Sequence, residues 1–162
     1  MSQKNNTRKK RKATRLHICF KSSGNTNGLP EFHKLAIETA KNHHVVVYVG
    51  GGCLINDAFK KAGYPIRFGP LGRITSKKGR ELATQVLQNE KEKLDKIFFG
   101  TGIIVELPIL YSGGRPIHIN NDRIVRTFYR GYNKFYIVTK KERVAKKEKL
   151  FKGLNKVEII GL

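Results

Sequence analysis

Five consecutive β-prone residues, Val45, Val46, Val47, Tyr48 and Val49, run directly into Gly50, Gly51 and Gly52. No other stretch of the chain limits its fold so strongly. Beyond the glycines, Leu54, Ile55, Ala58, Phe59 and Ala62 recur at helical spacing. The pattern predicts a strand, a glycine turn and a helix. Such a turn brings backbone N–H groups and a helix N-terminus to the carboxyl end of a strand, where unpaired donors and the helix dipole stabilise an anion. The spacing matches neither a Walker A sequence nor the dinucleotide fingerprint. A plain turn without a ligand stays open as the alternative.

Upstream, apolar Leu16, Ile18 and Phe20 alternate as in a first strand, which ends in the small-residue turn Lys21-Ser22-Ser23-Gly24-Asn25. A helix is expected over 30–43, with Pro30 suited to its first turn and Phe32, Leu35, Ala36, Ile37 and Ala40 as its apolar stripe. Strand, helix, strand, helix is a βαβ arrangement, so the strands should be parallel and buried. Residues 64–75 form an excursion marked by glycine and proline. Ser76 is placed to cap a helix reaching about Phe98, with Leu82, Val86, Leu87 and Leu94 on one side. A strand follows over 103–110, where Pro108 favours an edge or a bulge. After the turn Ser112-Gly113-Gly114-Arg115 come a short returning strand at 116–119, a helix from 120 to about 130 and the strand KFYIVT at 134–139. Glu158-Ile159-Ile160 closes the series as a last short strand.

Charge narrows the partners. The net charge is +21, and 26 of the 33 basic residues lie beyond Arg15 with all 12 acids, so the body alone keeps +14. Residues 1–15 hold the other seven basic residues and nothing to bury, and are expected to be a disordered basic tail. Attraction to phosphates follows, without specificity. The two cysteines, Cys19 and Cys53, are too few for a disulfide scaffold or a four-ligand zinc site, and His33, His43 and His44 have no ligand partner at metal-binding spacing. No metal site is expected from the residues. No run reaches the length of a membrane span and no secretory apolar segment follows the basic start, so a cytoplasmic protein is expected. The length suits one domain, taken as 16–162.

Four segments carry a resemblance: Lys21-Ser22-Ser23-Gly24, the strand and glycines at 45–52, Leu71-Gly72-Arg73-Ile74-Thr75, and the run from Gly114-Arg115-Pro116 to Asn120-Asn121-Asp122. Their order resembles that of the amino acid kinase superfamily, most of all acetylglutamate kinase, over roughly residues 16–139. The resemblance implies a three-layer αβα sandwich with a mostly parallel sheet. It also implies transfer of the γ-phosphoryl of ATP, with Mg²⁺, to a carboxylate acceptor of the acetylglutamate kind or a phosphate acceptor of the uridylate kind. Lys21 would neutralise the moving phosphoryl group and Asp122 would orient the catalytic lysines. Ser23, Gly24, Gly50, Gly51 and Gly52 would hold the phosphate, and Arg73 and Asn120 the acceptor. Such roles are chemically coherent, since phosphoryl transfer needs positioning and positive charge more than covalent help.

The sequence also departs from that pattern. Thr139-Lys140 stands where the family has Thr-Asp, and His118 replaces an asparagine. The chain stops soon afterwards, so an acceptor-binding lobe with a truncated nucleotide lobe is expected. The cluster Lys140, Lys141, Arg143, Lys146, Lys147 and Lys149 reads as a solvated face, or else as a crude phosphate binder. Two alternatives to a kinase stand beside it: a non-catalytic ligand-binding or oligomerisation module of that fold, and a basic nucleic-acid- or ribosome-associated protein, suggested by the net charge and the basic tail.

Overall fold

The computed structural model describes residues 14–70 and 72–162. The expected basic tail therefore lies outside the described residues, apart from Thr14 and Arg15.

The core of the fold is a five-stranded sheet in the order β5-β2-β1-β8-β9. Its strands are β1 (His17–Lys21), β2 (His44–Tyr48), β5 (Ile104–Glu106), β8 (Lys134–Thr139) and β9 (Val157–Gly161). Each of its four pairings is parallel. Parallel strands are covered on both faces, and the alternation of side chains sorts accordingly. Ile18, Phe20, Val45, Val47 and Val138 point to one apolar cluster. Cys19, Tyr48, Phe135 and Ile137 point to the other.

The first face is covered by α1 (Pro30–Ala40), α2 (Gly52–Lys61) and α3 (Lys77–Ile97), which contribute Phe32, Ala36, Ile55, Phe59, Leu87 and Leu94. The second is covered by α4 (Asn121–Thr127) and α5 (Val144–Leu150), with Ile124, Val125 and the following Phe151. This is the α/β three-layer sandwich expected. Phe20, Phe32, Phe59 and Phe135 are fully buried, each stabilising the fold by roughly 1.5–3 kcal/mol through burial.

Local chemistry sets the element ends. Pro30 opens α1 and Ser76 caps α3, its hydroxyl accepting from the Gly79 amide at 3.1 Å. α1 stops at Ala40 rather than His43, because the His44 amide leaves the helix to donate to the Leu16 carbonyl at 2.8 Å and begin β2. The run at 103–110 is not one strand. Pro108 ends β5, and the chain continues into a separate hairpin of β6 (Ile109–Ser112) and β7 (Arg115–His118). Its two-residue turn, Gly113-Gly114, has φ of +54° and +75°, the conformation a twisted hairpin favours and glycine adopts freely. The excursion at 64–75 holds a second hairpin, β3 (Arg67–Gly69) with β4 (Gly72–Ile74). α4 ends at Thr127, short of the expected Arg130, as the chain turns back to β8. A single 3₁₀ turn at Lys141–Arg143 leads into α5.

Candidate functional site

All strands of the central sheet run the same way, so their carboxyl ends form one rim. From β1 the chain first steps to β2 on one side, and later places β8 on the other. Open α/β sheets bind ligands outside the carboxyl ends at such a reversal. A cleft of about 1490 Å³ lies there, walled by the end of β1, the glycine turn, the first turns of α4, and both hairpins. Lys21, Ser23, Gly24, Gly50, Gly51, Gly52, Arg73, Asn120 and Asp122 all line it. The structure thus brings together the nine residues to which the resemblance gives a role.

Its electrostatic centre is Asp122 in the first turn of α4. Lys21 Nζ lies 2.9 Å from Oδ1, and Lys147 Nζ lies 2.7 Å from Oδ1 and 2.6 Å from Oδ2. Both lysine side chains are only 5% exposed, against 25% for Asp122. Two buried lysine amines share one carboxylate, so with both protonated one positive charge at the cleft wall has no partner. Burial pushes the Lys21 ammonium below its ordinary range; Asp122 works against this, while Lys147 and Arg143 add to it. For Asp122, burial acts to raise the carboxyl, but Lys21 and Lys147 together outweigh it and hold the group below its ordinary value. Lys147 belongs to the basic cluster that the sequence reads as a solvated face or a crude phosphate binder, and its pairing with Asp122 is not expected from the sequence. The rest of that cluster, Lys140, Lys141, Arg143, Lys146 and Lys149, is exposed.

The glycines divide by role. A Cβ on Gly50 would strike the Ser22 carbonyl and the Gly24 amide, so the two loops touch backbone to backbone there. A Cβ on Gly51 would strike Leu87, and one on Gly24 would lie 2.7 Å from Cys53 Sγ. Gly52 has nothing within 4 Å of that position and opens toward the cleft. Gly51 is the N-cap of α2 and has no side chain to occupy the first-turn donors, which stay available to an anion. Ser23 is turned inward, its amide and hydroxyl engaged with Thr26 at 3.1 and 3.2 Å. Asn121, not singled out from the sequence, donates through Nδ2 to Ser22 O and Val49 O at 3.1 and 3.2 Å, tying the ends of β1 and β2 together.

Across the cleft, the Arg73 guanidinium lies between two rings, 5.2 Å from the centre of Phe59 and 4.7 Å from that of Phe68. Nη2 is 3.4 Å from the Gly52 carbonyl, and Nη1 is buried without a partner among the described residues. The aromatic sandwich holds the guanidinium by cation–π attraction, and burial lowers its proton affinity. His118 Nε2 meets Thr84 Oγ1 at 2.7 Å; burial, then Arg80 and Arg73, push its pKa below the ordinary value and favour the neutral ring. Asn120 is the N-cap of α4, its Oδ1 accepting from the Asp122 amide at 3.0 Å. That oxygen is committed to the helix.

Mg²⁺ does not fit this donor set. The Asp122 oxygens each face an ammonium group, and the other acid lining the cleft, Glu81, is exposed. Among the described residues, no cluster of three His, Cys, Asp or Glu could hold a metal ion, and no helix is long and apolar enough to cross a membrane.

No protein-family model matches the chain, and no curated protein sequence matches it. Solved structures do. N-acetylglutamate synthase from Neisseria gonorrhoeae, complexed with coenzyme A and N-acetylglutamate, is similar over 76% of this chain and 41% of its own length, at 12% identity and a TM-score of 0.65. The same synthase complexed with coenzyme A and L-arginine aligns over 76% and 43%, at 10% identity and a TM-score of 0.66. Smu.665 from Streptococcus mutans aligns over 76% and 72%, at 18% identity and a TM-score of 0.61. The chain thus spans less than half the length of the synthase, and identities this low establish a likeness of fold alone.

These findings correct the kinase expectation. The neighbours are a coenzyme A-binding synthase and smu.665, not acetylglutamate kinase or another amino acid kinase, so neither superfamily membership nor phosphotransferase activity is retained. The expected cofactors, ATP and Mg²⁺, give way with them: the synthase is complexed with coenzyme A, and the paired lysines leave no carboxylate for the metal. The nucleotide and RNA partners find no support here either.

Proposed function

We propose that this chain is a binding domain for a small anionic metabolite, a carboxylate of the N-acylated amino acid kind. The ligand carboxylate would lie against Lys21 and Lys147 and the first turn of α2. The observation that carries this reading is the two-to-one pairing at Asp122, which leaves a buried ammonium charge facing the cleft beside open helix donors. A desolvated charge of this kind strengthens attraction to an anion that excludes water. The ligand class is suggested by the N-acetylglutamate bound to the synthase neighbour. Isothermal titration with N-acetyl-L-glutamate, and with its uncharged diamide as control, tests the proposal. Saturable heat with the acid alone, lost in Lys21→Met, is expected. No heat at millimolar acid would overturn it.

A second reading rests on size. The cleft volume of about 1490 Å³ exceeds the ~1,000 Å³ upper end of ordinary small-molecule sites. Arg80, Arg115 and Arg143 at its rim suit a ligand with phosphate groups. Coenzyme A, present in the synthase complexes, is the natural probe, and acyl transfer from its thioester to an amino acid is the activity that would go with it. Release of free thiol from acetyl-coenzyme A, dependent on glutamate, would support that activity. Its absence, with no coenzyme A binding by titration, would exclude it.

A further inference from the structure

Beneath the glycine turn, outside the cleft lining, lies Asn27, fully buried in the loop after β1. Its side-chain amide and backbone carbonyl tie this loop to the glycine turn, α3 and α1. Nδ2 donates to the Gly50 carbonyl at 2.7 Å and to Glu90 Oε1 of α3 at 3.3 Å. Oδ1 accepts from the Ser22 hydroxyl at 2.5 Å. The Asn27 carbonyl accepts from His33 Nε2 of α1, also at 2.5 Å. The amide is therefore fixed in orientation: exchanging its oxygen and nitrogen would set the oxygen against the Gly50 carbonyl and the Glu90 carboxylate.

We infer that Asn27 is the positioning residue of the anion site, holding the Gly50 peptide so that the donors of Gly51, Gly52 and the first turn of α2 face the cleft, with Glu90 locking the amide from behind. This rests on the binding function proposed above. Gly50 allows close approach of the loops but makes no hold of its own, because it has no side chain. Asn27 supplies that hold from one side, as Asn121 does through Val49 O from the other. The Asn27 side chain is itself fully satisfied; a buried network around such a residue specifies one geometry, and losing a member leaves other polar groups unpaired.

The test uses Asn27→Asp and Asn27→Ala in the full chain, titrated with N-acetyl-L-glutamate at about pH 8 and about pH 5 beside the wild type at each pH. The aspartate keeps the acceptor for Ser22 but cannot donate to Gly50, and it faces the Glu90 carboxylate, which Lys93 Nζ contacts at 3.1 Å. At pH 8 about tenfold weaker binding is expected, the scale of one buried hydrogen bond. At pH 5 a carboxyl raised by its neighbour takes a proton and can donate again, so the deficit relative to wild type should shrink. Asn27→Ala should stay weak at both values. Equal affinity of wild type and Asn27→Asp at pH 8, or an equal deficit at both values, would overturn the inference.

Should the variants at 27 fail to fold, Glu90→Leu and Glu90→Gln replace them. The leucine should weaken binding several-fold and the glutamine, still an acceptor for Nδ2, should rescue it; equal affinities would count against the inference. Amide exchange of the 50–52 turn separates this from failure of the binding proposal. If no anion binds the wild type, faster exchange in Asn27→Asp still supports the positioning role, and unchanged exchange overturns it.

Discussion

Replacing Asp122 by asparagine isolates the two-to-one charge arrangement. Lys21 and Lys147, each with 5% of its side chain exposed, would both lose their only carboxylate in the pairings described. Removing one member of a buried ion pair costs roughly 3–5 kcal/mol, because the remaining charge stays buried without compensation. Asp122 is a quarter exposed to the cleft, so water screens part of the loss and about 3 kcal/mol is expected. Lys147→Met is the instructive contrast, since it leaves Lys21 and Asp122 as a neutral pair. Its lost charged hydrogen bonds are partly offset by burial of the methionine, giving a cost of about 1 kcal/mol. With a urea slope of roughly 2 kcal/mol/M, the two midpoints should fall by about 1.5 M and about 0.5 M. The sign of the pH dependence follows from Lys21, whose folded pKa already lies below its ordinary 10.5 and falls further without Asp122. The unfolded chain then holds that proton longer than the folded one, so the stability of Asp122→Asn rises with pH from the folded value up to about 10.5 and its deficit narrows. Added phosphate should also recover part of the loss by mass action on the folded state. A cost for Asp122→Asn no larger than that for Lys147→Met, or one that does not change with pH, would refute the reasoning.

Three further outcomes are expected. Gly50→Ala should be among the most damaging changes, about 3 kcal/mol or more, because its Cβ meets backbone that cannot move aside; Gly52→Ala, with open space around the Cβ, should leave the melting temperature within a few degrees but weaken anion binding. Ser76→Ala removes the cap on the Gly79 amide and should cost about 1 kcal/mol by urea unfolding, with ligand affinity unchanged. Because burial, then Arg80 and Arg73, hold the His118 pKa below its ordinary 6.5, the unfolded state protonates first. Stability should therefore decline as pH falls below about 6.5, and His118→Gln should flatten that slope.

The layers were legible because period-2 and period-3.6 patterns are strong where both faces of a sheet are covered. The 45–49 run and KFYIVT became β2 and β8 within a residue at each end, and Ser76 marked the start of α3. The run at 103–110 misled because its eight residues are continuously apolar apart from Glu106 and Pro108. Periodicity does not show that such a run serves two sheets. Pro108 was the informative residue: without an amide donor it cannot continue a parallel ladder, and the strand ends before it. The hairpin of β3 and β4 was hidden by its length, three residues on each side. Its Phe68 matters less for burial, being 62% exposed, than for the face it offers Arg73.

Candidate site residues were easier to find than what they do. Strand ends and glycine turns converge by topology, so Lys21, Gly52 and Asp122 were bound to meet once the sheet was parallel. Which other charge joins them depends on side-chain direction. Lys147 was hidden among lysines, yet a trace existed: Val144, Lys147 and Phe151 follow one another at three and four residues, the spacing of an inward stripe. A lysine inside such a stripe is buried, and a buried ammonium requires a carboxylate. With only 12 acids in the chain against 33 basic residues, few partners existed, and the one at the head of α4 already had a claim from Lys21. The excess positive charge at the cleft follows from that competition, and it is this excess, rather than the glycine turn alone, on which the proposed anion site rests.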